Sequence, residues 1–100
     1  MFHLEITESA RDDLRFLQPF AQRRILDAIA RQLPNEPLTA TRHRKPLCQN
    51  ALSAWEFRVG TYRIFYDVEE ERATVRVKAI GWKAHNRLFI RGKEYLLENR

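Results

Sequence analysis

The sequence predicts an α+β fold: one small domain in the order β-α-α-β-β-β, with a helical hairpin packed on a twisted antiparallel sheet. Three observations predict it. Apolar and polar residues alternate through three successive runs between Trp55 and Ala79, the period of strands with one buried face. Two earlier stretches carry apolar residues three and four apart, the period of helices that bury a stripe. Finally, 100 residues suffice for a single core and leave no room for a second domain or a large cofactor fold.

The composition narrows the function classes. With 44% hydrophobic and 31% charged residues, the chain has enough apolar content to fold and is not of the disordered class. A net charge of +5 favours polyanionic partners: RNA, DNA, an anionic membrane or an acidic protein. The single cysteine, Cys48, excludes an internal disulfide and fits a reducing cytoplasm. The N-terminal MFHLEITESARDD lacks the charged region and apolar run of a signal peptide. No segment approaches the length of a membrane span, so a cytoplasmic location without membrane contact is expected.

Phe2 to Thr7 reads as a short first strand, with Phe2, Leu4 and Ile6 alternating against His3 and Glu5. Thr7 or Ser9 can cap the helix that follows, and Glu8, Asp12 and Asp13 suit its positive end. Ala10, Leu14 and Leu17 share a face of that helix, which should stop before Pro19. Pro19 fits the first turn of a second helix. There Ile25, Leu26, Ile29 and Leu33 form a core stripe, Arg23, Arg24, Asp27 and Arg31 lie largely off it, and Pro34 closes it.

Asn35 to Ala54 is long and poorly periodic. A segment of that length in so small a domain is functional or docked by its own apolar residues, here Leu38, Leu47 and Leu52. It carries the basic run Arg42-His43-Arg44-Lys45, which is either a solvated loop or an extension of a cationic surface. His43 and Cys48 match no zinc-ligand spacing, and no metal or other cofactor is expected.

Trp55 to Gly81 organises the rest. A two-residue turn at Gly60-Thr61 pairs Val59 with Tyr62 and sets Arg58 opposite Arg63. A four-residue loop at Glu69–Arg72 would pair Val68 with Ala73 and set Arg63 opposite Lys78. Arg58, Arg63 and Lys78 would then form a row of cations on the face away from the apolar set. Like charges directly opposite on a sheet are destabilising, so the row is either a solvated face neutralised by Glu56 and Asp67 or a polyanion site for a phosphate backbone. Beyond the third strand, Ala84 to Arg87 reads as a turn or short helix. Leu88 to Ile90 return to the core or a sheet edge, and Lys93 to Leu97 form a last short strand or tail. Lys83, His85 and Arg87 follow a strand end, where loop residues reach a site built on a sheet.

The segments WEFRVGTYRIFYDV (Trp55–Val68) and VKAIGWKAHNRLFI (Val77–Ile90) resemble the RelE/ParE superfamily of toxins from bacterial type II toxin–antitoxin modules. The first resembles the family's W-E-x-R-V-x-x-Y-R-x-x-Y hairpin; the second resembles its I-G-H-K strand ending, with Trp82 where histidine is common. With the helical half, the resemblance covers essentially the whole chain. It implies one of two activities: RelE-like cleavage of mRNA in the ribosomal A site, or ParE-like poisoning of DNA gyrase. A third reading is a non-enzymatic or decayed toxin that serves as an antitoxin-binding module. All three imply a cognate antitoxin whose acidic or amphipathic segment covers the basic sheet face.

For the nuclease branch the resemblance places Arg63 on the scissile phosphate, with Arg58 and Lys83 as further basic residues. Metal-free cleavage needs a proton taken from the 2′-hydroxyl, a stabilised phosphate and a proton given to the departing 5′-oxygen; guanidinium groups suit the second task. Phe89 stands where the family has a tyrosine, and can stack a base but cannot transfer a proton. Glu56 stands where a basic residue is usual. His85 is the substitute for proton transfer, with Tyr95 more remote. Lys78, Arg87, Arg44, Lys45 and Phe89 complete the expected RNA-binding set.

Overall fold

In the computed structural model, which describes residues 1–47 and 52–96, the chain forms β1 (His3–Ile6), α1 (Glu8–Arg15), α2 (Pro19–Gln32), β2 (Arg44–Pro46), β3 (Trp55–Val59), β4 (Tyr62–Glu69), β5 (Thr74–Ala84), β6 (Arg87–Ile90) and β7 (Lys93–Tyr95). Cys48 and Leu97, which entered the reading of the sequence, lie outside the described residues. No described helix is long and apolar enough to cross a membrane.

The strands make one sheet in the order β2-β3-β4-β5-β6-β7, with β1 joined to β5. β1 runs parallel to β5, His3 facing Thr74 and Ile6 facing Val77; the remaining pairs are antiparallel. The eleven residues of β5 form the axis. β4 covers one edge, while the other is shared by β1 at its start and β6 at its end.

The helices are specified locally. Thr7 is extended and its hydroxyl accepts from the amide of Ala10 at 3.1 Å, a cap that contributes about 1 kcal/mol. α1 ends ahead of Pro19, which then supplies the first residue of α2. Together the two helices bury Ala10, Leu14, Ile25, Ile29 and Leu33 against Phe57, Ile64, Tyr66, Val75, Val77 and Ile80. Leu26 stands out of this stripe, exposed: α2 sits on the sheet along its 25-29-33 line, and Leu26 falls beyond the contact.

A second, smaller cluster lies on the opposite face. Phe65, Ala79 and Leu88 are buried there beneath Leu47, Leu52, Ile90 and Tyr95. Ala79 was expected on the same side as Val75 and Val77. The register explains the difference: Tyr66 pairs with Val77 but Phe65 pairs with Ala79, so Lys78 is the extra residue of a β-bulge. The bulge reverses the facing of everything after it. The turn differs as well. Glu70–Arg72 form a single 3-10 turn, Ala73 is left-handed with φ 47°, and Val68 pairs with Val75 rather than Ala73.

The long segment before β3 is tied down. Tyr66 donates its hydroxyl to the carbonyl of Pro37 at 2.6 Å in the interior, and Pro37 is fully buried. Leu47 and Leu52 pack on the second cluster as expected, whereas Leu38 stays exposed. Arg44 to Pro46 pair with β3 as an edge strand, so the basic run is part sheet rather than all loop.

Candidate nucleic-acid interface

Arg58 and Arg63 lie directly opposite each other on β3 and β4, as the hairpin turn requires. Both point away from the helices, because Phe57, Val59, Tyr62 and Ile64 take the core side. Between the two guanidiniums is Glu56, only 2% exposed. Its Oε1 accepts from Arg58 Nε at 3.4 Å, and its Oε2 is 3.8 Å from Arg63 Nε. One carboxylate therefore serves two cations, and a positive charge is left over. Burial lowers the pKa of Arg63 from the ordinary arginine value; Glu56 opposes the shift and Arg58 adds to it. The group stays cationic at any physiological pH. Arg63 Nη1 donates to the carbonyls of Gly60 and Tyr62 at 2.8 and 2.9 Å, while its buried Nε has no hydrogen-bond partner among the described residues.

The third cation of the expected row is not there. Arg63 faces Gly81, not Lys78, because the bulge shifts the register by one. Lys78 instead pairs with Asp67, Nζ to Oδ2 at 3.3 Å. Lys83 takes its place: alternation from Gly81 puts its side chain on the face of Arg63, and its amide donates to Thr61 at 2.8 Å. Gly81 opens the space between them for a reason of its own. A Cβ there would meet the carbonyl oxygen of Phe89 at 2.3 Å, so only glycine lets β6 approach this closely. Lys45, opposite Glu56 on β2, extends the basic face at its other end.

The other sequence candidates divide. His85 is exposed in the tight turn between β5 and β6, where His85 and Asn86 both have positive φ, 53° and 66°. Arg87 opens β6, exposed, 3.8 Å from Glu94. Three candidates are not brought to the basic face, and Arg87 is the first of them, since alternation along β6 puts it on the side of Phe89. Arg44 opposes Phe57 and turns to the helical side, donating to the carbonyls of Gln32 and Asn35 at 3.3 and 3.4 Å; it caps the end of α2. Phe89 opposes Trp82 and stacks on it, centroids 5.9 Å apart, while Trp82 stacks on Phe16 at 6.1 Å. Strand alternation and this aromatic column fix Phe89 on the helical side, away from Arg63.

One buried polar centre escaped the sequence reading. Asp13 is 2% exposed. Its Oδ2 accepts from the amide of Ile80 at 3.0 Å, and its Oδ1 forms an ion pair with Arg91 Nε at 2.9 Å. β1 leaves β5 at Val77 and β6 joins it at Trp82; Asp13 fills the gap by satisfying an amide that neither strand reaches. Burial raises its pKa, with the Ile80 bond and Arg91 opposing the shift. The signal was present: positions 10, 13, 14 and 17 share one helical face, so Asp13 stands among core residues. Among the described residues, no three His, Cys, Asp or Glu side chains converge into a metal-binding group.

Residues 4–86 match the family model described as the ParE toxin of the parDE type II toxin–antitoxin system. The chain is 30% identical over 83 residues to the toxin RelG of Mycobacterium tuberculosis, spanning 83% of this chain and 92% of that protein. The toxin–antitoxin complex RelBE2 from the same organism superimposes with a TM-score of 0.70 at 29% identity, covering 83% of this chain and 92% of that one. The archaeal RelE–RelB complex from Pyrococcus horikoshii gives 0.62 at 17% identity over 84% and 97% of the two chains. The intact Escherichia coli RelBE complex gives 0.57 at 20% over 85% and 100%. At these lower identities the likeness is one of fold.

Proposed function

The chain belongs to the ParE toxin family of type II toxin–antitoxin systems, and from that premise we propose that it is a metal-independent endoribonuclease that cuts mRNA in the cytoplasm, in the manner of RelE. The observation that carries the reading is the facing pair Arg58 and Arg63, two guanidiniums held across a sheet with one shared carboxylate between them. An arrangement that costs stability in the free chain suits a bound phosphate, whose charge relieves the repulsion.

The chemistry assigns roles as follows. The 2′-hydroxyl oxygen forms a bond to phosphorus as the bond to the 5′-oxygen breaks, leaving a cyclic phosphate and a free 5′-hydroxyl. Arg63 and Arg58 bind the non-bridging oxygens and stabilise the added charge of the crowded phosphorus. Lys83 adds a third cation on the same face. His85, two residues beyond Lys83, is the group offered for proton transfer, accepting the 2′-proton or giving one to the 5′-oxygen. A cognate antitoxin with an acidic or amphipathic segment is the proposed partner, silencing the toxin by covering this face.

Poisoning of DNA gyrase is the second reading. Phe89 lies on the helical side and is not a proton donor, which favours an activity without acid–base chemistry; the matched family model carries the ParE description. The two are separated by adding the purified chain to mRNA-programmed ribosomes and, in parallel, to a gyrase supercoiling assay. Cut mRNA with unaffected supercoiling is expected. Intact mRNA with blocked supercoiling overturns the nuclease assignment.

A further inference from the structure

The basic face does not end at the β3–β4 turn. Arg24 of α2 lies against that turn: a Cβ on Gly60 would sit 2.9 Å from its Nη2 and 3.3 Å from its Nη1. The carbonyl of the same Gly60 accepts from Arg63 at 2.8 Å. One glycine thus joins the sheet cations to those of α2. Arg23 and Arg24 are both exposed, and among the described residues neither has an acidic partner, since Asp27 is engaged by Arg31 at 2.9 Å. One helical turn before Arg24 stands Phe20, 71% exposed; Phe20, Arg23 and Arg24 line one shallow groove with Leu26 and the Arg31-paired Asp27. An aromatic ring left in water one turn from two unpaired arginines is costly for the free chain. It is the composition of a single-strand track, in which cations follow the backbone and a ring stacks a base.

We infer that single-stranded RNA bound at Arg58 and Arg63 continues over the Gly60 turn onto α2, where Arg24 and Arg23 take further phosphates and Phe20 stacks a base. The inference rests on the RNA reading above and adds a second contact region to it. Continuity through Gly60 with the phosphate-binding pair, and an exposed ring suited to stacking a base, argue for RNA as the occupant rather than an acidic protein segment.

The test measures binding of 2′-O-methylated RNA, which cannot be cut, to the purified chain by fluorescence anisotropy. Oligonucleotides of roughly four and roughly twelve nucleotides bracket one contact region and two. Because the three side chains are exposed, Arg23→Gln/Arg24→Gln and Phe20→Ala should melt like the parent. The double variant is expected to leave the short RNA unaffected and to weaken the long one roughly tenfold, with the salt slope smaller by about 1.4. Phe20→Ala should weaken the long RNA roughly tenfold without changing the slope. If Arg58→Ala/Arg63→Ala weakens both lengths while the α2 variants weaken neither, this inference falls and the nuclease reading stands. If the parent binds neither RNA, both fall. If the α2 variants spare RNA but weaken binding of a glutamate-rich amphipathic peptide, the surface docks protein and the inference is overturned.

Discussion

Glu56 holds the charge balance of the basic face. It stands at a position where the resemblance leads one to expect a cation, and it is almost fully buried between two arginines. Replacing it by glutamine keeps its shape and removes the only counter-charge that Arg58 and Arg63 share among the described residues. Glu56→Gln should therefore lower stability by about 1–2 kcal/mol, as the half-exposed Arg58 can be hydrated, and raise RNA affinity, since phosphate no longer competes with a carboxylate. Denaturant melts and anisotropy titrations should move in opposite directions; affinity falling together with stability would mean that Glu56 positions the arginines rather than opposing the ligand.

Asp13 makes a different kind of prediction. Burial holds its carboxyl above the ordinary value of 3.8, so the folded state binds the proton more tightly than the unfolded chain. Its contribution is fully present below that ordinary value and is lost as pH rises through the raised one. Asp13→Asn retains an oxygen for the Ile80 amide and does not titrate. The stability of the parent relative to Asp13→Asn should decline from about pH 4 upward and level off, as read by urea melts across pH. A constant difference would contradict the burial account. Arg58 opposite Arg63 was legible at this scale because a two-residue turn fixes its neighbours. The inward turn of Arg44 was not, since one residue in an irregular run has no period to reveal its face.

Among the elements, β5 decides the geometry. It changes edge partner from β1 to β6 partway along, and its bulge at Lys78 brings Ala79, Gly81 and Lys83 to the face of Arg63. A period-of-two reading cannot see a bulge, and the single inserted residue is why Lys78 was expected where Gly81 lies. Gly81 is the most constrained point, because its backbone meets β6 with no space for a side chain. Gly81→Ala should cost about 3 kcal/mol and loosen the β6–β7 hairpin ahead of the rest. Hydrogen exchange would show this as early loss of protection at Phe89 and Ile90; a stability change below about 0.5 kcal/mol would mean that β6 can yield. Both helices were legible to within a residue or two, since prolines and a threonine cap mark their ends. The parallel pairing of β1 was not, because alternation gives a strand its faces and says nothing of its direction.

At the scale of the molecule, the fold sorts its chemistry by face. The helices and the aromatic column occupy one side of the sheet; the paired arginines, Lys83 and Lys45 occupy the other. The sequence revealed this division through alternation in β3 and β4, where no bulge intervenes. Net charge pointed to a polyanion without choosing one, since charge carries no information on the partner's chemistry. Primer extension on one abundant transcript after brief induction of this chain, beside an Arg63→Ala control, asks directly whether the paired arginines cut RNA. Discrete new 5′ ends that disappear in the control, with the variant still folded, are the predicted result. Growth arrest with intact transcripts, or cleavage that survives Arg63→Ala, would contradict it.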